Sequence, residues 1–404
     1  MKEKYLVVNC GSSSLKFSLY EMPSELIIAK GYIEKIGLDD SFWTINYNGE
    51  KITGAKKISN HKEATEIMIN ELINNHIIRN MNEIKGVGHR VLHGGEIYND
   101  SVLIDDKVLN DIIDMTNLGP LHHPGEIDGI KAMQQCLPNT KQIAVFDTAF
   151  HQTMPEESYI YAVPYEWYSK YKVRKYGFHG TSHKYITNEM KKILKKDNVN
   201  LIICHVGSGA SITCIKNSKS YDTSMGLTPL DGLVMGTRSG RIDPSIIKFM
   251  ADEANMSLNE IMNELNKNSG LKGICGKNDF RDVMDLIKQG NKQAKLAYDI
   301  FMDSIIKHIA EYYFELNGTV DAIVFTAGIL ENNTAIRENI INKLSNPMGI
   351  HVNKIANNNI GYGHELKEGI ITTDNSKIPV YVIPTDEEVM IVRDTYKIIN
   401  GTIW

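Results

Sequence analysis

The chain has 404 residues, of which 42% are hydrophobic and 23% charged, and its net charge is −5. That length is too great for one ordinary core, so two domains are expected. A net-negative chain lacks the basic face that non-specific nucleic-acid binding needs, and no apolar run reaches the length of a membrane span. The opening MKEKYLVVNCG turns polar too soon for a signal peptide. Cys10, Cys136, Cys204, Cys214 and Cys275 are odd in number and form no C-x-x-C pair. Reduced thiols in a cytoplasmic protein are expected, rather than a disulfide scaffold or a zinc ribbon.

Strand and helix signals alternate, which favours an α/β architecture. Residues 5–9 and 14–20 read as a hairpin around the small, hydroxylated turn of NCGSSSLKF, which ends on Phe17. Such a turn exposes backbone N–H groups and lets a phosphate approach closely, although most Gly/Ser turns are plain hairpin turns. Residues 60–78 read as a helix capped by Asn60 with Glu63 three residues on. Residues 143–147 read as a buried strand ending on Asp147. The hairpin device returns at 201–206 and 209–215, in LIICHVGSGASIT. Its echo suggests a duplicated unit gripping one phosphorylated ligand from two sides. Ser257 with Glu260 opens a helix that Gly270 is expected to stop. An amphipathic helix spans about 291–317, with Ala294, Ala297, Tyr298, Phe301, Ile305, Ile309, Tyr312 and Leu316 near one face. A short buried strand follows at Ile323–Thr326. The last helix begins after Thr385, with Glu388 completing a capping box, and runs to about Asn400.

No low-complexity linker divides the chain. The repeat places one domain at 1–148 plus 385–404, with the last helix packing back, and the other at 149–384. A P-loop is excluded, because the glycine spacing near Gly270 and Gly276-Lys277 is wrong and Asn278 stands where Ser or Thr is needed.

Five clusters put Arg, His or Asp among glycines and small residues, where a bending chain lets polar groups reach a ligand. They are Gly88-His89-Arg90-Val91-Leu92-His93-Gly94-Gly95, then Leu121-His122-His123-Pro124, then Phe146-Asp147-Thr148-Ala149-Phe150-His151. Tyr176-Gly177-Phe178-His179-Gly180-Thr181-Ser182-His183 and Gly236-Thr237-Arg238-Ser239-Gly240 complete the set. Taken singly, such an Arg is more often a surface ion pair, and such a His a core group. Together they fit phosphoryl transfer, where catalysis is positioning and charge stabilisation. Arginine forks match phosphate and carboxylate, and an Asp with a Glu can hold Mg²⁺. Glu387 sits at a helix start, free to face a ligand.

These motifs resemble the acetate kinase family, within the sugar kinase, heat-shock chaperone and actin ATPase superfamily, from NCGSSSLKF through to PTDEE. The resemblance implies two duplicated ribonuclease-H-like domains with an active-site cleft between them, and a homodimer. It implies Mg²⁺-dependent phosphoryl transfer between ATP and acetate, giving ADP and acetyl phosphate, with Mn²⁺ as a substitute metal. Asn9, Ser12, Ser14 and Lys16 would line the first phosphate turn. Arg90 and Arg238 would grip the carboxylate and the moving phosphoryl group, which His179 would hydrogen-bond and His122 would help position. Asp147 and Glu387 would organise Mg²⁺, with Asn9 nearby. Leu92, Leu121, Phe178 and Pro229 would wall the acyl pocket. His205, Gly207, Ser208 and Gly209 would face the nucleotide phosphates. Asp279, Phe280, Arg281, Gly328, Ile329 and Asn332 would border the adenosine.

The chain departs from the family's usual residues at His123, Ser208, Arg241 and Leu330, and Leu330 is expected to add bulk beside the adenosine. Direct in-line transfer is expected, since no nucleophile stands out. The alternatives are a propionate or butyrate kinase, a pyrophosphate-using enzyme, and a non-catalytic nucleotide-binding module.

Overall fold

The computed structural model describes residues 2–120, 122–361 and 363–401. The chain forms two compact units: Met1–Gln152 with Asp386–Trp404, and Thr153–Thr385.

The first unit is built on a sheet of β1 (Glu3–Gly11), β2 (Ser14–Met22), β3 (Leu26–Glu34), β4 (Phe42–Tyr47), β5 (Glu50–Ala55), β6 (Ile84–Val91), β7 (Val102–Leu103) and β8 (Lys141–Phe146). Their order is β5-β4-β3-β2-β1-β6-β8-β7. β1 pairs antiparallel with β2 and parallel with β6, which pairs parallel with β8. The second unit's sheet holds β9 (Leu201–Val206), β10 (Ala210–Lys216), β11 (Lys219–Thr223), β12 (Ala322–Thr326), β13 (Gly369–Ile370) and β14 (Val380–Val382). Their order is β11-β10-β9-β12-β14-β13. An antiparallel three-strand meander followed by two parallel strands thus occurs twice, β3-β2-β1-β6-β8 and β11-β10-β9-β12-β14. The repeat is the duplicated unit that the two hairpins suggest, and it is the ribonuclease-H-like α/β fold that the family resemblance implies.

Central strands read as continuous apolar runs because both their faces are covered. Tyr5–Val8 and all of β9 and β12 are buried. The covering helices set the site. The last helix, Glu387–Asn400, lies on β6 at its glycines. A Cβ at Gly88 would sit 2.3 Å from Thr395 Oγ1 and 2.7 Å from Ile391 Cγ2. Only a bare Cα admits that approach, which brings the helix start and Glu387 to the end of β6, where Arg90 stands.

Three local expectations are corrected. Helix His61–Asn74 has the Asn60 cap but stops before 78, ending at Asn75 ahead of the left-handed His76. Helix Leu258–Lys267 has its Ser257–Glu260 capping box, yet it ends at Asn268, and left-handed Gly270 opens the next helix instead. At the last helix no capping box forms. Asp386 caps Val389 N–H, and Glu388 Oε2 accepts from Ser18 Oγ at 2.8 Å and pairs with Lys30 Nζ at 2.7 Å. A tertiary partner and a cation outcompete the local cap.

Candidate active site

The first unit gathers one set of expected residues. Asn9 and Lys16 face each other across the β1–β2 pair, and Ser12 and Ser14 lie in or beside its turn. Asn9, Ser12 and Lys16 are exposed and Ser14 half-buried. Buried His61 braces this turn, its Nε2 lying 2.8 Å from the Gly11 carbonyl.

At the ends of β6 and β8, Arg90 Nη2 donates to Asp147 Oδ2 at 3.0 Å, and its Nε lies 3.9 Å from Glu387 Oε2. Asp147 is fully buried and its N–H donates to Val91 O. Asp147, and to a smaller degree Glu387, hold the Arg90 guanidinium charged more firmly than usual. Burial, and then repulsion from Asp147, push the Glu387 carboxyl up to about 7 against the pull of Arg90. Two carboxylates on one guanidinium, at 3.0 and 3.9 Å, offer hard oxygens of the kind that suit a dication such as Mg²⁺.

Leu92 is buried just past β6. His122 is the N-cap of helix His123–Cys136 and half-buried. His123 is fully buried with Nδ1 3.1 Å from Ile112 O, so this departure from the family's usual residue faces the protein interior. Leu121 lies outside the described residues.

The second unit gathers the other set. Gly207–Gly209 close the turn between β9 and β10, with Gly207 N–H donating to Gly209 O at 3.0 Å and Ser208 exposed at the tip. His179 adopts a left-handed conformation at the start of helix Gly180–Leu194. Its ring stacks on that of His205 at 4.2 Å, and its Nδ1 lies 2.9 Å from Ser211 Oγ. Its other nitrogen, Nε2, lies beside the turn, 3.2 Å from where a Gly209 Cβ would be, with Arg238 Nη1 3.8 Å from the same point. Turn, imidazole and guanidinium therefore converge.

Arg238 donates to Pro229 O at 3.3 Å and touches Met235 Sδ at 3.7 Å, and it forms no ion pair among the described residues. Burial alone pulls its pKa down. A half-buried guanidinium without an acid is an anion receptor waiting for charge. Phe178 is buried.

Beside the turn lies a cavity of about 440 Å³ lined by Gly207, Ser208, Asp279, Phe280, Arg281, Gly328, Ile329 and Asn332. Sequence reasoning named all eight but missed Leu271, Asn278 and Asn333, which line it too. Asp279 caps Arg281 N–H and grips the same guanidinium with both oxygens, which lowers its pKa to about 2. Leu330 does not add bulk here. It is fully buried in the core and absent from the lining. Its carbonyl instead accepts from Arg337, a fully buried guanidinium that also donates to Glu331, Asn357 and Ile360 carbonyls and to Asn357 Oδ1. Arg241, the remaining departure, is exposed and lies 3.7 Å from Glu311.

Ala327 precedes the Gly328–Asn332 turn with φ 67° and ψ 163°, a region that L-residues avoid. Glu331 Oε1 holds it there, accepting from Ala327 N–H at 2.6 Å and Thr385 N–H at 3.1 Å. Thr385 Oγ1 reaches Ser182 Oγ at 2.6 Å, which contacts His205 Nδ1 at 2.8 Å.

The chain matches the model of the acetokinase family over residues 4–393. It is 49% identical over 400 residues to the acetate kinase of Bacillus cytotoxicus, covering 98% of this chain and 99% of that one. It is 50% identical over 404 residues to the acetate kinase of Thermoanaerobacterium thermosaccharolyticum, with the same coverages. Among solved structures it resembles Porphyromonas gingivalis acetate kinase (TM-score 0.92, 41% identity, 98% and 100% coverage). It also resembles a propionate kinase from Francisella tularensis (TM-score 0.91, 44% identity, 98% and 99% coverage). With a full-length match in sequence and fold, this chain belongs to the acetokinase family.

Proposed function

We propose that the chain catalyses reversible phosphoryl transfer between ATP and acetate, giving ADP and acetyl phosphate. The observation that carries the reading is the contrast between its two arginines. Arg90 is tied to acids beside the Leu92 wall, whereas Arg238 carries an uncompensated charge beside the nucleotide cavity and His179. An acyl phosphate reaction needs both: one cation to orient a carboxylate, and one to meet the charge spread over the moving phosphoryl group.

In the forward direction a carboxylate oxygen of acetate attacks the γ-phosphorus. The bond from that phosphorus to the β–γ bridging oxygen breaks, and ADP leaves without a proton transfer. Arg90 aligns the carboxylate, Leu92, Phe178 and Pro229 exclude water from the methyl group, and His179 and Arg238 bind the equatorial oxygens. Asn9, Ser12, Ser14, Lys16 and Gly207–Gly209 cradle phosphate. Mg²⁺ would be held by Asp147 and Glu387, with Asn9 nearby, and would supply charge neutralisation. Direct transfer demands that both sets of residues act on one phosphoryl group, and that demand is part of the proposal.

The test is acyl hydroxamate formation from ATP and Mg²⁺ with acetate, propionate and butyrate, with pyrophosphate as a second donor. Product with acetate and ATP supports the reading. Silence with every acid and donor rejects it in favour of a nucleotide-binding module. The similarity to the Francisella tularensis enzyme makes propionate the acid to compare. Chiral phosphate should show inversion.

Homodimerisation in the cytoplasm belongs to the same proposal. Helix Ser245–Glu253 buries no residue, and Phe249 and Leu258 are each 62% exposed, which suits a covering copy. Sedimentation of the chain at micromolar concentration tests it.

A further inference from the structure

Glu126 lies on the first turn of helix His123–Cys136, and only 3% of it is exposed. Both carboxylate oxygens accept from the Leu92 N–H, at 3.2 and 3.1 Å. That N–H is the first amide beyond the end of β6, where the strand ladder no longer supplies a partner. Glu126 N–H in turn donates to the His122 carbonyl at 3.1 Å. Arg90, two residues before Leu92, acts on Glu126 through its charge. The buried carboxyl is therefore tied to two residues of the acid side, Arg90 and Leu92, while the backbone of the same residue continues the helix that starts at His122.

Burying an acid is costly, and an apolar side chain would pack a helix against a sheet without that cost. What an apolar side chain cannot do is hold the Leu92 amide. The Leu92 side chain can wall a small pocket only if its backbone is fixed, and Glu126 is the group that fixes it.

We propose that Glu126 is a positioning residue that sets the depth of the acyl pocket through Leu92, and hence the selectivity among short carboxylic acids. This rests on the assignment of Arg90 and Leu92 to the acid site. Discrimination by one methylene is worth only about 10- to 200-fold in a hydrophobic pocket, so a small displacement of one wall is enough to erode it.

The experiment compares the parent, E126Q and E126D in the full chain, measuring KM and kcat for acetate and propionate and KM for ATP. Gln reaches Leu92 N–H with its amide oxygen. Asp keeps the charge but falls short by a methylene. The expected result is near-parental acid KM for E126Q. E126D should show acetate KM raised about tenfold and a flattened acetate-to-propionate ratio, with ATP KM unchanged. Rescue by Gln separates positioning from charge, and a merely structural role would lower stability without moving the acid ratio. Parental acid KM and ratio in folded E126D overturn the inference alone. A parent silent with every acid overturns the functional reading, and the inference with it. If E126D does not fold, E126L, which has no acceptor for the Leu92 N–H, decides beside E126Q: a raised acetate KM and flattened ratio in E126L but not in E126Q uphold the inference, and parental values in E126L or a raised KM in E126Q overturn it.

Discussion

Gly125 stands so close to Gly11 that a methyl group on it would lie 2.5 Å from the Gly11 carbonyl carbon and oxygen, and 2.8 Å from Ser12 N. The helix that carries His122 and Glu126 is thereby pressed against the first phosphate turn. In an ordinary helix Gly→Ala gains roughly 0.5–1 kcal/mol. Here backbone is in the way, and overpacking at about 1–3 kcal/mol wins. G125A should lower the urea midpoint and reduce kcat with acetate. Parental values for both would show that the turn yields freely.

The opposite sign is expected at Ala327. Its φ of 67° with ψ of 163° belongs to glycine's part of the map. Strain there is of order 1–3 kcal/mol, and A327G relieves it at the expense of a more flexible unfolded chain. Thermal unfolding of A327G should shift upward. An unchanged or lower Tm would mean that Glu331, not the backbone map, decides the cost.

The two arginines should separate in stability while agreeing in activity. R90A and R238A are each expected to lower kcat/KM by roughly three orders of magnitude, the scale of a lost charge contact in the transition state. R90A also removes the guanidinium that pairs with buried Asp147, a loss of about 3–5 kcal/mol. R238A removes a guanidinium that pairs with no described acid, so its Tm should hold or rise. Denaturation curves for the two variants check this, and equal losses would contradict the contrast.

A pH effect on stability is expected away from the site. Asp222, Glu311 and Glu315 bring carboxylate oxygens within 4.8 Å of one another, and Lys175 Nζ lies 2.5 Å from Asp222. Burial first, and then repulsion from Asp222, raise the Glu315 carboxyl to about 8. A folded carboxyl above its unfolded value binds a proton that the unfolded chain releases. Its contribution is therefore complete below about pH 4.5 and is lost as pH rises towards 8. E315Q should flatten the decline in Tm between pH 5 and 8. A parallel decline in parent and variant would exclude Glu315 as its source.

Much of the site was legible because its chemistry is local. A Gly/Ser turn between two strands is visible in NCGSSS and again in HVGSGA, and each segment does join two antiparallel strands. The cavity residues Asp279–Arg281, Gly328, Ile329 and Asn332 were legible for the same reason. What escaped depends on contacts between distant segments. Glu126 looks like any acid on a first helical turn until β6 ends beside it. Glu388 fits a capping box by spacing, yet Ser18 and Lys30 claim it from far along the chain. Leu330 looks like an obstruction in a nucleotide loop, because sequence gives no direction to a side chain and this one turns into the core.

The first unit is completed by residues from Asp386 onward, while the second is one unbroken stretch. The second unit therefore holds every strand of its sheet in one segment, whereas the first lacks the cover over β6 until its distant helix Glu387–Asn400 is in place. Glu387 is carried by that helix, so the acid cluster around Arg90 is complete only when the two separated segments of the first unit have come together.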